Sequence, residues 1–291
     1  MRISRSLLAA PLAVVLLTPA ITFAQAAPPM VNNVLSIYRE SVKVGKGAAH
    51  DTQEAAWARA MAAVKGADRF VALASLTGPN EMWYVSAYPT WADYEKAIDN
   101  GNADPAIAAI NKQYRPGEAE FLSDSRGMTL RPRTELSFGG PADLPQMRYL
   151  SVTRVSVRPG HAGEYEEARK MVKAAHEKAK LTDRYTIYEV TAGAAATTFY
   201  QFVARKTLAE LDSAGTIHGA AYTEALGGEL GQAKVAALTA SAVISQETDH
   251  FEFTPSQSVP LDAWVTANPG FWKPKAPAPA DKKAPAEKKK P

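Results

Sequence analysis

Hydrophobic and polar residues alternate from Val34 to Val42, and this period of two predicts a β-strand. A glycine-containing turn follows at Val44–Gly47. The pattern then changes over residues 48–65 to the period of about 3.6 that is typical of an amphipathic helix. The residues that share the apolar face of this helix are Trp57, Ala60, Met61 and Val64.

The next stretch predicts a hairpin, a capped helix and a final strand. Strands are predicted at Arg69–Leu76 and Glu81–Tyr88, joined by a Gly-Pro turn. Thr90 opens a second helix with a capping box, and a broken helical region leads to a last strand near Thr129–Phe138. The order βαββαβ over residues 33–140 is that of a ferredoxin-like unit, an antiparallel sheet with both helices on one face.

The chain repeats this pattern at an offset of 115 residues. The stretch "LSVTRVSVRPGHAGEYEEA" from Leu150 matches "LSIYRESVKVGKGAAHDTQ" from Leu35, and the hairpin glycine Gly193 matches Gly78. We therefore predict a second ferredoxin-like unit over residues 148–254. The elements predicted in it are strand Tyr149–Val157, helix Ala162–Lys180, a strand from Asp183, strand Thr198–Val203, a capped helical region from Thr207 and strand Val243–Phe253.

The two units together predict the architecture of the chain. Each sheet has one face without helices, and that face must be covered to keep its apolar side chains from water. We predict an α+β fold of two tandem ferredoxin-like βαββαβ repeats that pack sheet to sheet as an intrachain α/β barrel. Residues 255–272 contain Trp264, Phe271 and Trp272, which are too apolar for a free linker, so we expect this C-terminal arm to pack on the barrel.

The two ends of the chain predict its location. Residues 1–26 have the pattern of a secretory signal peptide, in which Arg2 and Arg5 precede an apolar run, Leu7 to Leu17, and "AQA" at Ala24–Ala26 fits a cleavage site. The chain has no cysteine, and no later stretch is apolar enough to span a bilayer. We expect an exported protein, periplasmic or secreted, with no transmembrane segment in the mature chain.

Charge is distributed unevenly along the chain. Residues 273–291, "KPKAPAPADKKAPAEKKKP", hold seven lysines and two acidic residues, and their composition predicts a disordered Pro/Ala/Lys tail. Between the signal peptide and this tail the chain has 24 basic and 28 acidic residues, against 33 and 30 in the whole sequence. An exported chain is not expected to meet nucleic acid, whereas the Lys-rich tail of this mildly acidic body could bind an anionic envelope surface.

Over about Asn33–Phe253, the sequence resembles the dimeric α/β-barrel superfamily. Proteins of this superfamily have a ferredoxin-like fold and include those similar to antibiotic-biosynthesis monooxygenases. The segments that carry the resemblance are "VKVGKGAAHDTQEAAW", "LTGPNEMWYVSAYPTWADYEKA", "VRPGHAGEYEEA" and "FYQFVARKTLAELDSA". In that superfamily two such units close into a barrel, as a dimer or as tandem repeats. Its members include cofactor-free monooxygenases of aromatic polyketides, haem-degrading and haem-peroxidase-like enzymes and muconolactone isomerases.

Candidate ligand-binding residues lie where a helix faces the sheet. His50 precedes Trp57 by seven residues, so the two share the buried face of the first helix, and Trp83 lies on the third strand. In enzymes of the superfamily, Trp, Asn and His side chains line this cavity and bind a flat substrate. The resemblance therefore implies a role for Trp57 or Trp83, with Asn33 or Asn80 beside them.

Two histidines of the second repeat are candidates for binding haem. His176 occupies the position that Met61 has in the first repeat, and His218 lies in the second helical region. Haem-binding members of the superfamily place an axial histidine on a helix over the sheet, so the resemblance implies His176 or His218 as that ligand. Our expectation is that no cofactor binds, with haem as the alternative.

No motif predicts a catalytic residue or a metal site. The sequence has no HExxH, CxxC, EF-hand or GxSxG pattern, so catalytic residues stay unknown and no metal is predicted. Arg39 and Arg154 recur at one register of the first strand of each repeat, and we expect structural salt links there. The acidic partners considered are Glu40 and Glu189.

Three functions are consistent with these features. The first is an exported protein of undefined activity that binds a small apolar or aromatic ligand between helices and sheet. The second is an enzyme, either a cofactor-free monooxygenase or a haem-dependent peroxidase-like protein. The third is an envelope-associated interaction protein that uses its basic tail.

Overall fold

A computed structural model of the chain describes residues 33–195, 197–214 and 218–273. The predicted signal peptide lies outside the described residues, and so does all of the predicted tail except its first residue, Lys273. In the described part of the chain, no helix combines the length and the apolar character needed to cross a membrane.

Both repeats contain the predicted order of strands and helices. The elements of the first repeat are β1 (Val34–Val42), α1 (Gly47–Ala62), β2 (Val71–Ser75), β3 (Glu81–Tyr88), α2 (Trp91–Ala103), α3 (Pro105–Tyr114) and β4 (Leu122–Pro132). Those of the second are β5 (Tyr149–Val157), α4 (Ala162–Lys178), β6 (Thr186–Ala192), β7 (Thr198–Arg205), α5 (Glu210–Ala214), α6 (Ala220–Leu226), α7 (Gly228–Ala242) and β8 (Val243–Phe253). Two short helices follow, α8 (Asp262–Ala267) and α9 (Pro269–Trp272).

The eight strands form a closed antiparallel barrel in the order β1-β3-β2-β8-β5-β7-β6-β4. Each repeat contributes four strands, and two pairings join the repeats. Strand β2 pairs with β8, where Leu73 lies opposite Phe253, and β4 pairs with β6, where Leu130 lies opposite Val190. This closure confirms the predicted α+β fold and the tandem dimeric α/β-barrel architecture, and it leaves no open sheet edge.

Strand alternation separates two environments. On β1, Leu35 and Ile37 point into the barrel and belong to its apolar core. The residues between them, Ser36 and Tyr38, face the helices, and so does Glu40. A side chain that faces the helices therefore does not contribute to the core inside the barrel, and the helix-facing side of the sheet can hold polar groups.

Two expectations about local structure were wrong. Strand β4 begins at Leu122, before the predicted Thr129, because its polar first half gains its hydrogen bonds by pairing with β1. Arg39 pairs with Glu81 rather than with Glu40, because adjacent residues of a strand point to opposite faces.

The expected partner of the second arginine was also wrong. Arg154 pairs with Glu247 of β8, across the β5–β8 ladder. Glu189 instead accepts hydrogen bonds from Arg131 and Arg133. The salt links themselves are present in both repeats.

Candidate functional site

A pocket of about 290 Å³ lies between the sheet and the helices of the first repeat. Its walls are Ser36, Tyr38, Trp57, Asp68, Phe70, Tyr84, Ser86, Tyr88, Tyr94, Ala97, Ile98 and Arg115. Six of these twelve side chains are aromatic. Tyr38 and Ile98 are exposed, so the pocket is reached from solvent.

The strand register creates this space. Ser36 of β1 lies directly opposite Ser86 of β3, and Tyr38 lies opposite Tyr84. The paired serines are small and leave room above the sheet, whereas the tyrosines next to them form a wall. All four residues face the helices, since they share one side of the pleat.

Trp57 of α1 is fixed in orientation at the pocket wall. Its ring stacks on Phe70 with the centroids 5.4 Å apart, and its Nε1 donates a hydrogen bond of 3.0 Å to Oδ1 of Asn111. The guanidinium of Arg115 lies 4.2 Å from the ring centroid. Stacking, a hydrogen bond and a cation thus hold the ring of Trp57 in one orientation.

The pocket also has an acidic group. A carboxylate oxygen of Asp68 accepts hydrogen bonds from the hydroxyl of Tyr88 and, at 3.2 Å, from Ser86. Burial raises the pKa of Tyr88, and the adjacent Asp68 carboxylate raises it further. Tyr88 therefore stays protonated and donates, and Asp68 is the only carboxylate among the residues that line this pocket.

A buried polar cluster, Glu40, His50 and Glu54, lies beside the pocket. Glu40 and His50 are 0 % and 1 % exposed, and Oε2 of Glu40 lies 2.8 Å from Nε2 of His50. Nη1 of Arg115 lies 3.6 Å from Oε1 of Glu54 and 3.8 Å from Oε1 of Glu40. Arg115 is thus shared between the pocket and the cluster.

The hydrogen bonding of the cluster is incomplete. Three of its buried atoms have no hydrogen-bond partner among the described residues, namely Glu40 Oε1, His50 Nδ1 and Glu54 Oε2. One potential ligand atom from each of the three residues lies within 4.8 Å of the other two, so the cluster could hold a metal ion. Buried polar atoms without partners are costly, and proteins keep few of them.

Burial and neighbouring charge shift the titration of the cluster. Burial raises the pKa of Glu54 to about 7, since the opposing effect of Arg115 does not compensate and the charge of Glu40 adds to the rise. Burial alone would lower the pKa of His50, but its hydrogen bond to Glu40 and the charge of that carboxylate raise it overall. Near neutral pH the cluster can therefore gain or release a proton.

The second repeat has no such cluster at the equivalent positions. At the offset of 115 residues, Glu40 corresponds to Val155, His50 to Tyr165 and Glu54 to Arg169. Val155 and Tyr165 belong to an apolar core in which Tyr165 packs on Phe199. The first repeat thus has three titratable side chains where the second has two residues of an apolar core and one arginine.

The structure separates the residues singled out in the sequence. His50 and Trp57 lie together on α1 in the first repeat, at the cluster and the pocket. Trp83 lies inside the barrel, on the other side of the sheet, where its Nε1 donates to Glu81. His176 and His218 lie in the second repeat, with ring centroids 5.3 Å apart.

Glu40, Glu54, Asp68 and Arg115 were missed as site residues. No local motif marks them, because they come from β1, from α1 and from two loops that meet only in the folded chain. The one available signal was the comparison of repeats, since Glu40 and Glu54 are charged where their counterparts are apolar or of opposite charge.

Both histidines that the sequence suggested as haem ligands contact other groups of the protein. Nδ1 of His176 donates a hydrogen bond of 2.8 Å to the carbonyl of Val172, and its Nε2 lies 3.2 Å from a carboxylate oxygen of Asp183. The ring of His218 stacks on Tyr222 at 4.2 Å. Neither histidine lines the aromatic pocket or the cavity of about 140 Å³ in the second repeat.

No protein-family model and no curated protein sequence matches the chain. Solved structures do match its fold. An anthrone oxidase-like protein superposes with a TM-score of 0.49 at 12% identity, covering 77% of this chain and 92% of that one.

Two further matches have lower scores. Chlorite dismutase from Candidatus Nitrospira defluvii has a TM-score of 0.44 at 10% identity, covering 79% of this chain and 95% of that one. A haem-binding protein from Thermus thermophilus has a TM-score of 0.41 at 9% identity, covering 79% and 94%. We draw nothing about activity from similarities at this level.

Proposed function

We propose that the aromatic pocket of the first repeat binds a small, flat, hydroxylated aromatic molecule. The observation that carries this proposal is the pocket lining, six aromatic side chains with one carboxylate and one guanidinium. Its volume of about 290 Å³ is at the small end of known ligand sites, which span roughly 300–1,000 Å³. A ligand of a few fused rings is therefore favoured over a larger one.

The polar groups supply the preference for a hydroxyl group. The Asp68 carboxylate can accept a hydrogen bond from a ring hydroxyl, in addition to those from Tyr88 and Ser86. Arg115 adds a positive charge next to the Trp57 ring, which favours a phenol with partial negative charge on its oxygen. Apolar walls then select a ring, and Asp68 selects its hydroxyl.

Intrinsic tryptophan fluorescence tests the proposal. Titration of the full chain with naphthol or a hydroxyanthraquinone should quench emission saturably, and Trp57→Phe should remove most of the quenching. Trp264→Phe is the matched control, because Trp264 packs in the C-terminal arm and should leave the quenching in place. If neither compound gives saturable quenching, or if Trp57→Phe leaves it intact, the proposal fails.

The contribution of Asp68 is tested with a pair of ligands. Asp68→Asn should weaken naphthol binding about tenfold, the effect of losing one hydrogen bond to a charged group, and leave naphthalene binding unchanged. Equal weakening of both ligands would show that the variant only disturbs the pocket.

A cofactor-free monooxygenase is the second candidate function. The favouring observation is again the Asp68 carboxylate in an aromatic pocket, because such a base can take a proton from an activated ring carbon. The ligand would be the reductant. A ring methylene becomes a carbonyl, one atom of O₂ enters the ring, and the other leaves as water with the two hydrogens.

Oxygen consumption separates this candidate from simple binding. An anthrone added to the full chain should be consumed with O₂ in equal amounts, and Asp68→Asn should slow the reaction at least a hundredfold. Saturable binding of the anthrone without oxygen uptake would leave the pocket as a binding site alone.

A further inference from the structure

We propose that Glu40, His50 and Glu54 form a binding site for one divalent transition-metal ion of the zinc or manganese type. This site lies outside the aromatic pocket and does not depend on the ligand proposed for it. The proposal rests on the composition of the cluster, its burial, its unpartnered atoms and the contrast with the second repeat.

The cluster is fully buried, but its hydrogen bonding is incomplete. Glu40, His50 and Glu54 are 0 %, 1 % and 1 % exposed. One carboxylate oxygen of Glu40 and one of Glu54 have no hydrogen bond, and neither has Nδ1 of His50, which lies 3.6 Å from Oδ1 of Asp51. Charged groups removed from water are retained when they are paired or when they coordinate a metal, and the pairing here is incomplete.

The three side chains of the cluster are suited to a transition-metal ion. Two carboxylates and one imidazole form a mixed oxygen and nitrogen set, which suits Zn²⁺, Mn²⁺ or Fe²⁺. Ca²⁺ and Mg²⁺ prefer sites made of oxygen ligands alone. The ligand atoms lie within 4.8 Å of one another, so small side-chain rotations would bring all three to one ion. Three protein ligands also leave a further coordination position for water.

The negative charge of the cluster is only partly compensated. His50 Nε2 lies 2.8 Å from one oxygen of Glu40. The guanidinium nearest to the two carboxylates is that of Arg115, whose Nη1 lies 3.6 Å from Glu54 and 3.8 Å from Glu40, beyond hydrogen-bond distance. Its short contact is instead with Glu118, at 2.7 Å. A divalent cation would neutralise Glu40 and Glu54 directly, and Arg115 would keep Glu118 as its partner.

The fold does not need this cluster. The equivalent residues of the second repeat are Val155, Tyr165 and Arg169. Arg169 there donates a 2.8 Å hydrogen bond to Oε1 of Gln201. A buried carboxylate–histidine–carboxylate set in only one of two copies indicates a task that the barrel itself does not impose.

Calorimetric titration of the chelator-treated full chain with Zn²⁺ or Mn²⁺ tests the proposal. We expect one ion per chain, with affinity reduced at least a hundredfold in Glu54→Gln and in His50→Gln. His161→Gln is the matched control. His161 and Glu164 form a carboxylate–histidine contact at the exposed start of α4, and its loss should leave the affinity unchanged.

A second readout keeps the test decisive if a variant folds poorly. Co²⁺ bound at a mixed carboxylate and imidazole site absorbs visible light, and this absorption should appear in the wild-type chain and in His161→Gln. Any of three results would overturn the proposal. These are Co²⁺ that binds without visible absorption, no binding of any of these ions, and equal binding by wild type, Glu54→Gln and His50→Gln. Naphthol titration of the same samples tells this failure apart from failure of the pocket.

Discussion

The Nε2 atom of His50 lies 2.8 Å from Oε2 of Glu40, and this contact joins the first helix to the first strand inside the protein. Glu54 lies one helical turn after His50 and faces the same centre. A charged cluster at this place couples the stability of the first repeat to pH.

The stability of the metal-free protein should fall as pH rises. Because the folded state raises the pKa of Glu54 to about 7 from 4.5, it holds this proton more tightly than the unfolded chain. That stabilisation is complete below pH 4.5 and is lost as pH rises through 7, by up to about 3 kcal/mol. His50 acts in the same direction, since its pKa is also raised. The charged or titratable groups that face Glu54 are Glu40, His50, Tyr84, Arg115 and Glu118.

Urea unfolding in the presence of a chelator, at several pH values between 5 and 8, measures this dependence. Glu54→Gln should remove most of the slope and make the protein more stable than wild type at the alkaline end. Glu95→Gln, on the exposed surface of α2, should leave the slope as it is. A wild-type stability that is flat or rises over this range would contradict the assignment.

The two repeats also supply a matched pair of arginines. Arg39 makes a bidentate contact with Glu81 inside the barrel, where the side chains are 17% and 9% exposed. Arg154 and Glu247 are 41% and 59% exposed. Arg39→Leu should cost about 2–3 kcal/mol of unfolding free energy, because it leaves the Glu81 carboxylate buried without its cation. Arg154→Leu should cost less than about 1 kcal/mol.

Denaturant unfolding of both variants measures the difference. The double variant Arg39→Leu with Glu81→Leu should recover part of the loss, since no charge is then left behind. Equal costs for the two single variants would show that burial does not distinguish the pairs.

The sequence predicted the barrel because its main features are periodic and occur twice. Strand alternation, the helical faces and the matched Gly78 and Gly193 all repeat along the chain, so each copy supports the other. Strand β4 was misplaced because "LSDSR" has no apolar alternation, and only pairing with β1 makes it a strand.

The site was predicted only in part for a different physical reason. His50 and Trp57 share a helical face, which periodicity reveals within one element. Glu40 was considered as a partner of Arg39, whereas the pleat sends the two to opposite sides of the sheet. Asp68 and Arg115 lie in loops, where no pattern indicates which way a side chain points.

The lack of a side chain at the hairpin glycine Gly193 allows the two repeats to approach closely. Gly193 has φ +87°, and a Cβ there would overlap the carbonyl oxygen of Gly127, across the junction of β6 with β4. Gly45 has φ +81°, and a Cβ there would meet no atom within 4 Å. Gly193→Ala should therefore cost about 3 kcal/mol or more, from backbone strain and displacement of β4, whereas Gly45→Ala should cost only the strain, about 1 kcal/mol. Thermal unfolding of both variants checks this order, and the reverse order would mean that β4 and β6 are not in contact.

The C-terminal arm should be a structural part of the barrel. Trp272 is 3% exposed, packs with Phe253 in the main apolar core, and donates a 2.9 Å hydrogen bond from Nε1 to the carbonyl of Pro145. Trp272→Ala should cost about 3–5 kcal/mol, the usual effect of removing a buried tryptophan. Trp91→Ala is the matched control, because Trp91 is 53% exposed, and it should cost about 1 kcal/mol or less. Urea unfolding of the two variants gives both values, and a small effect of Trp272→Ala would mean that the barrel closes without its arm.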